Sequence, residues 1–214
     1  MPPSSPPPPS FSVEQIRAAE RPLLEAGVPL MRRAAAALAE QLRATGRSPV
    51  IVLAGAGDNG GDALYAAAEL APSREVVAAR VADRVHEDAW AAALAAGVRE
   101  IAPDAVAGVA KGAVRKDGAV IVDGMRGIGG AGAGLREVAR ATALGILNLT
   151  EPPFVVAVDV PSGIDADTGA ADEAVLPADL TVTFGALKRG LTREPARSLA
   201  GRIVVADIGL GLRG

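Results

Sequence analysis

The chain has no cysteine, one histidine and five aromatic residues among 214. Without thiols there are no disulfides, no thiolate nucleophile and no cysteine-ligated zinc, and a lone histidine excludes a multi-histidine metal centre. No apolar run approaches ~18 residues, so no stretch reads as a membrane-spanning helix. The formal net charge is −3 and the basic residues are scattered, with no basic stripe and no interleaved aromatics, which argues against nucleic acid as a partner. The opening residues, MPPSSPPPPS, lack the basic and apolar segments of a secretory signal. Residues 1–10 read instead as an extended, disordered Pro/Ser tail. What is left is one domain over 11–214, expected in the cytoplasm.

Half of the residues are hydrophobic, so a core is available, built from Ala, Val, Leu and Ile rather than rings. Ser12 and Gln15 have the spacing of a capping box and predict a helix over 13–25, with Pro22 placed to kink or split it. Leu30, Met31, Ala34, Ala35, Leu38 and Leu42 mark a second helix. After Pro49 short Val-rich runs alternate with helical stretches. The runs are 50–54, 75–81, 119–123, 154–159, 179–184 and 202–206, and the helices are 60–71, 86–96, 103–112 and 134–148. Unalternating apolar strands between helices predict a three-layer α/β/α, Rossmann-like fold with a mostly parallel central sheet.

Ligands of such sheets sit beyond the carboxyl ends of the strands. The first run passes into Gly55-Ala-Gly57-Asp58-Asn59-Gly60-Gly61-Asp62. Four glycines there are expected to let backbone N–H groups approach an anion, so that a side chain at Gly60 would block it. The acids Asp58 and Asp62 point beyond phosphate, to a cation, a sugar hydroxyl or proton chemistry. The runs ending at Asp123 and Asp159 add two strand-end acids, each followed by a glycine-rich or Pro-Ser-Gly turn, and oxygens of Asn59, Asp123, Asp159 and Ser162 can converge. The loop also fits G-x-G-x-x-G, with Asp83 further on, so a nicotinamide dehydrogenase is a rival; a Walker A lysine is missing. His86, ahead of Glu87 and Asp88, reads as a structural residue at a helix start, and Trp90 as core or interface. Lys188 is balanced between solvent and ligand.

Taken together these motifs resemble the NAD(P)HX epimerase family, the YjeF N-terminal domain. Phe11-Ser-Val-Glu-Gln-Ile-Arg-Ala-Ala-Glu20 looks like its opening helix, and Gly55 to Asp62 like its G-x-G-N-N-G-G-D loop. Val122-Asp123 through Gly134 resembles its D-A-L-F-G-T-G segment, Asp159-Val-Pro-Ser-Gly163 its D-x-P-S-G motif, and Leu180 to Lys188 its T-x-T-F-G-x-x-K strand. Ala206-Asp-Ile-Gly209 is similar to its closing strand. The resemblance implies epimerisation at C6 of hydrated NADH and NADPH, a repair step that lets a partner dehydratase restore the cofactor. It implies a potassium ion on Asn59, Asp123 and Ser162. It places the hydrated nucleotide against Asp58, Asn59, Gly60, Gly61 and Asp62, against Gly127, Ile128, Gly129, Gly130, Ala131, Gly132 and Ala133, and on Asp159. Epimerising a hemiaminal carbon needs proton transfer near the nicotinamide, and Asp159 is the candidate for it. The dehydratase is expected on another chain or on a longer form of this one, and homodimers are what the family suggests.

The sequence departs from the family at Asp58, where an Asn is usual, at Ala63 in place of a Gly, at Gly124-Met125-Arg126 in place of Ala-Leu-Phe, and at Ile128 in place of Thr. Altered Asp58 and Arg126 leave a non-catalytic nucleotide-binding or protein-interaction module as a second rival. Arg126 is placed either to meet a ligand phosphate or to face solvent.

Overall fold

A computed structural model describes residues 9–113, 118–126 and 135–212. In chain order the elements are α1 (Val13–Glu25), α2 (Leu30–Thr45), β1 (Val50–Ala54), α3 (Asp58–Leu70), β2 (Val76–Arg80), α4 (Glu87–Ala95) and β3 (Arg99–Glu100). They continue with α5 (Val106–Ala113), β4 (Val120–Gly124), α6 (Glu137–Leu147), β5 (Phe154–Val158), β6 (Leu180–Phe184), α7 (Ala196–Leu199) and β7 (Arg202–Ala206). The strands form one sheet in the order β3-β2-β1-β4-β5-β6-β7. Every described pairing is parallel.

Side chains alternate across a strand, and here each face meets helices. Val50, Val52 and Ala54 of β1 pack with Leu38 and Leu42 of α2 and Leu64 of α3, whereas Ile51 and Leu53 pack with Val106 of α5 and Ala143 and Ile146 of α6. Covering on both faces is why these strands show no polar alternation. The sheet order reverses between β1 and β4, with Ala54 opposite Gly124. That is the switch point where a doubly wound sheet opens a crevice at its carboxyl edge. Asp123 lies opposite Ala157 of β5, so the ends of β1, β4 and β5 are next-door neighbours.

The capping box of α1 is present in full, with Ser12 and Gln15 bonded reciprocally. Helix α1 runs through Pro22 without splitting and ends three residues later. Just before α1, the Phe11 N–H donates to the Leu187 carbonyl at 2.9 Å and the Arg189 N–H donates to the Phe11 carbonyl at 2.9 Å. These bonds moor α1 beside the exit of β6 and bring its Glu20 and Arg17 to the crevice. Two elements were not anticipated, the two-residue edge strand β3 and the single turn α7. Both are too short to carry a periodic signal.

Candidate active site

Helix α3 starts at Asp58 with Gly57 as its N-cap, earlier than the expected start at residue 60. Asn59, Gly60, Gly61 and Asp62 therefore lie in its first turns rather than in a phosphate-sized loop. Glycine is a poor helix former, costing ~1 kcal/mol relative to alanine, so its presence needs a reason. A Cβ on Gly60 would sit 2.3 Å from the Gly55 carbonyl oxygen, and one on Gly55 would sit 1.8 Å from the carbonyl oxygen of Met125. The glycines let α3 seat on the ends of β1 and β4. At Gly60 the space a side chain would need is taken by the protein's own backbone; its N–H lies in the first turn of α3, where an anion remains the expectation. Gly57 is different, because a Cβ there meets nothing within 4 Å.

Gly57, Asp58, Asn59, Asp62, Asp159 and Lys188 all line one cleft of about 920 Å³ above the switch point. Of the potassium candidates, Asn59 lines the cleft, whereas Asp123 and Ser162 are fully buried and bonded to each other. Asn59 donates its amide N–H to the Val158 carbonyl, which leaves the amide oxygen for a ligand. Asp123 is fully buried. One of its oxygens accepts from the Ser162 N–H at 2.8 Å and the other from the Met125 N–H at 3.3 Å. The Ser162 hydroxyl accepts from the Arg126 N–H at 2.8 Å and donates to the Arg126 carbonyl at 3.1 Å, so one lone pair remains. Burial pushes the Asp123 carboxyl up, while its hydrogen bonds with Ser162 and Met125 pull it back. No described cationic side chain pairs with it. A carboxylate, an amide oxygen and a hydroxyl are oxygen donors of the kind a hard cation takes. Among the described residues no three His, Cys, Asp or Glu side chains group as a metal site.

Asp159 follows β5 in the left-handed region, at φ 67°. Asp is one of the few residues that tolerate this conformation. Its Oδ1 accepts from the Thr183 hydroxyl at 3.1 Å, from the Phe184 N–H at 3.1 Å, and from the Lys188 ammonium. Lys188 is 1% exposed and donates also to the Phe184 carbonyl at 2.8 Å. Lysine at the end of β6 is therefore not solvated; it is the buried cation of Asp159. All three described donors converge on Oδ1 and none on Oδ2.

Asp62 lies in the same cleft, buried, and its Oδ1 has no partner among the described residues. Burial pushes its carboxyl well above the ordinary range; nearby Asp159 and Asp58 add to the effect and Lys188 opposes it. The N-terminus of α3 favours the anion, by ~0.3–2 kcal/mol at most. Burying an unpaired carboxylate costs several kcal/mol, so burial outweighs the helix terminus and the shift is upward. Glu20, from α1, is half-buried here and is likewise raised, by burial first and by Asp159 and Asp58 next, against Lys188. Sequence reasoning missed Glu20. No local motif marks it; only the docking of Phe11 beside Leu187 carries it into the cleft.

Of the other candidates, Arg126 is half-buried and lines the cleft. His86 caps α4, its Nδ1 accepting from the Ala89 N–H at 3.2 Å. Trp90 is core, under the Arg80 guanidinium at 4.1 Å. Gly127 to Ala133 lie outside the described residues.

A family model described as YjeF-related protein N-terminus matches residues 27–190. The chain belongs to this family. A relative of this YjeF-related domain from Microbacterium testaceum, named NAD(P)H-hydrate epimerase, is 53% identical over 94% of this chain and 78% of its own length. One of the same name from Clavibacter michiganensis is 49% identical over 95% of this chain and 92% of its own. The bifunctional NAD(P)H-hydrate repair enzyme Nnr of Mycobacterium tuberculosis is 41% identical over 94% of this chain but only 42% of its own length. The crystal structure of yeast ynu0 superposes with a TM-score of 0.71 at 20% identity, covering 88% of this chain and 86% of that one. That likeness bears out the three-layer α/β/α architecture. Among the described residues, no helix of this YjeF-related domain is long and apolar enough to cross a membrane.

Proposed function

We propose that this YjeF-related domain is an NAD(P)H-hydrate epimerase, an isomerase that interconverts the C6 epimers of hydrated NADH and NADPH. The observation that carries the proposal is the buried Asp159–Lys188 pair facing the cleft, in a chain about half identical to curated epimerases. A dehydrogenase would need a hydride partner and a substrate pocket; relatives of this identity are named for epimerisation instead.

The hydrated nicotinamide carries a hydroxyl on C6 beside the ring nitrogen. Inversion requires that this hydroxyl leave, or the ring open, and that water or the hydroxyl return from the other face. Asp159 is the proton-handling group. Lys188, Thr183 and the Phe184 N–H hold its Oδ1, fix its orientation and leave Oδ2 for the substrate. Its sheltered position at the strand end keeps bulk water from competing. The open backbone at Gly57 and Asp58, at the N-terminus of α3, is the place for the diphosphate; residues 127–133 are the proposed second wall. Asn59, Asp123 and Ser162 are the proposed potassium ligands. A bound potassium ion supplies positive charge that balances Asp123 and steadies the strand ends beneath the nucleotide. Asn59 ties this base to the catalytic strand through the Val158 carbonyl, next to Asp159. The product epimer passes to a dehydratase.

The test begins with one purified C6 epimer and follows the appearance of the other by chromatography, with uncatalysed epimerisation subtracted. Conversion well above background is expected. A parent protein no faster than background, yet still binding nucleotide, would overturn the enzyme and leave the binding module.

A further inference from the structure

We propose that Asp62 is a second catalytic residue, the general acid that protonates the departing C6 oxygen while Asp159 serves the opposite face. The proposal rests on the epimerase function above and adds the division of labour between its two carboxyl groups.

Inversion by loss and return of water has a demand that one carboxylate cannot meet at one moment. On one face the C6–O bond breaks, its electron pair goes to oxygen, and that oxygen must take a proton to leave as water. The ring nitrogen lends its lone pair and forms the C6–N double bond. On the other face a water adds to C6, returns the pair to nitrogen, and must give up a proton. One proton donor and one acceptor are required at once, and the reverse direction exchanges their roles. One proton has then moved from donor to acceptor; solvent returns it, with no oxidation or reduction.

The cleft holds such a pair. Asp159 is a carboxylate, ion-paired with Lys188 and bonded by Thr183 and the Phe184 N–H. Asp62 is buried, no described donor reaches it, and Oδ1 is without a partner. It faces Asp58 on its own helix, Glu20 of α1, Asp159 after β5 and Lys188 after β6. His86, capping α4, lies against the neighbouring Gly61. Three of the facing groups are carboxyls, and the nearby ammonium is already engaged by Asp159. Burial without described donors, among acids, favours the protonated form of Asp62. Two carboxyls in one cleft whose surroundings favour opposite protonation states are the arrangement that acid–base chemistry needs. A purely structural role does not explain an acid here: a buried position with no hydrogen-bond partner among the described residues is served better by an apolar side chain.

The test compares the parent with Asp62→Asn in the single-epimer assay. Asparagine keeps the shape and can donate a hydrogen bond but has no proton to transfer. Turnover should fall ~10²–10⁴-fold while KM changes far less. The parent rate should also decline on the alkaline side as Asp62 loses its proton, and this limb should be absent from any residual rate of the variant. A variant that turns over at the parental rate, or that loses only affinity, would overturn the assignment. A direct measurement covers a variant that does not fold. In the parent, the carboxyl ¹³C shift of Asp62 should report the neutral acid at pH 6, and an ionised carboxylate there would defeat the proposal. A parent with no epimerase activity would refute the function itself, and the carboxyl shift would still read the Asp62 proton independently.

Discussion

Asp123 and Asp159 stand at the ends of adjacent parallel strands and are both buried, yet the chain treats them differently. Asp159 receives a cation from within, the Lys188 ammonium, together with a hydroxyl and a backbone N–H. Asp123 receives backbone N–H groups, from Ser162 and Met125, with the Ser162 hydroxyl beside it, but no cation among the described residues. A buried charge must be balanced. The protein supplies the balance at β5; at β4 no described side chain does, and the proposed potassium ion would. One of the two acids thus carries its own counter-charge. The other has none among the described residues.

The sharpest way to break this contrast is to remove the proton-accepting group. Asp159→Asn should lower turnover ~10²–10⁴-fold in the single-epimer assay with a much smaller change in nucleotide affinity. Loss of affinity with turnover of bound substrate intact would make Asp159 a binding group and dissolve its distinction from Asp123. Next in size is the cation. Lys188→Met strands the Asp159 carboxylate and should cost about 3–5 kcal/mol in denaturant melts. The double variant Lys188→Met/Asp159→Asn should recover part of that loss, because no charge is then left unpaired. Equal stability of the single and double variants would mean that the pair is not coupled.

Potassium probes the other end. If it balances Asp123, a hundredfold excess over its dissociation constant should stabilise the fold by ~2.7 kcal/mol. Sodium should do less, and Asp123→Asn should abolish the difference between the salts. Thermal melts that respond identically to sodium and potassium, before and after that substitution, would remove the ion from the comparison.

How much of this was legible in the sequence depends on range. The sheet was legible, because Val-rich runs such as Val50–Ala54 and Phe154–Val158 are buried on both faces and so show no polar alternation. Asp123 and Asp159 stood out as acids at strand ends. Their different partners did not, because Lys188 lies 29 residues beyond Asp159 and a lysine after a strand is ordinarily solvated. Only the parallel pairing of β5 with β6 brings it in. The glycine motif was visible, but its packing purpose was not. Gly60 serves the close seating of α3 on Gly55, a contact that depends on which strands are neighbours. Asp62 was marked as a ligand-facing acid; that it lacks donors follows from packing, which residue spacing does not encode.

Asp62 extends the comparison to a third carboxyl, one given neither a cation nor hydrogen-bond donors among the described residues. Its smaller effect is a slope of stability with pH. Burial, Asp159 and Asp58 raise its folded-state pKa well above the ordinary value. Below the ordinary carboxylate pKa the group is protonated in both the folded and the unfolded chain, so stability does not depend on it. Between the ordinary and the raised value the folded chain holds the proton that the unfolded chain has released. The folded state then binds more protons, and stability falls as pH rises, by at most ~1.4 kcal/mol per pH unit for one group. Above the raised value both states are ionised and the slope vanishes. Asp62→Asn should remove this slope. Glu20 and Asp123, also raised by burial, remain in both proteins and contribute to both curves, so the difference between them isolates Asp62. Denaturant melts from pH 4 upward at fixed potassium and ionic strength should converge at low pH and separate as pH rises, the variant becoming relatively more stable. Curves that stay parallel throughout would show that Asp62 releases its proton as an ordinary carboxyl, and would place it with Asp159 among the balanced acids of the cleft.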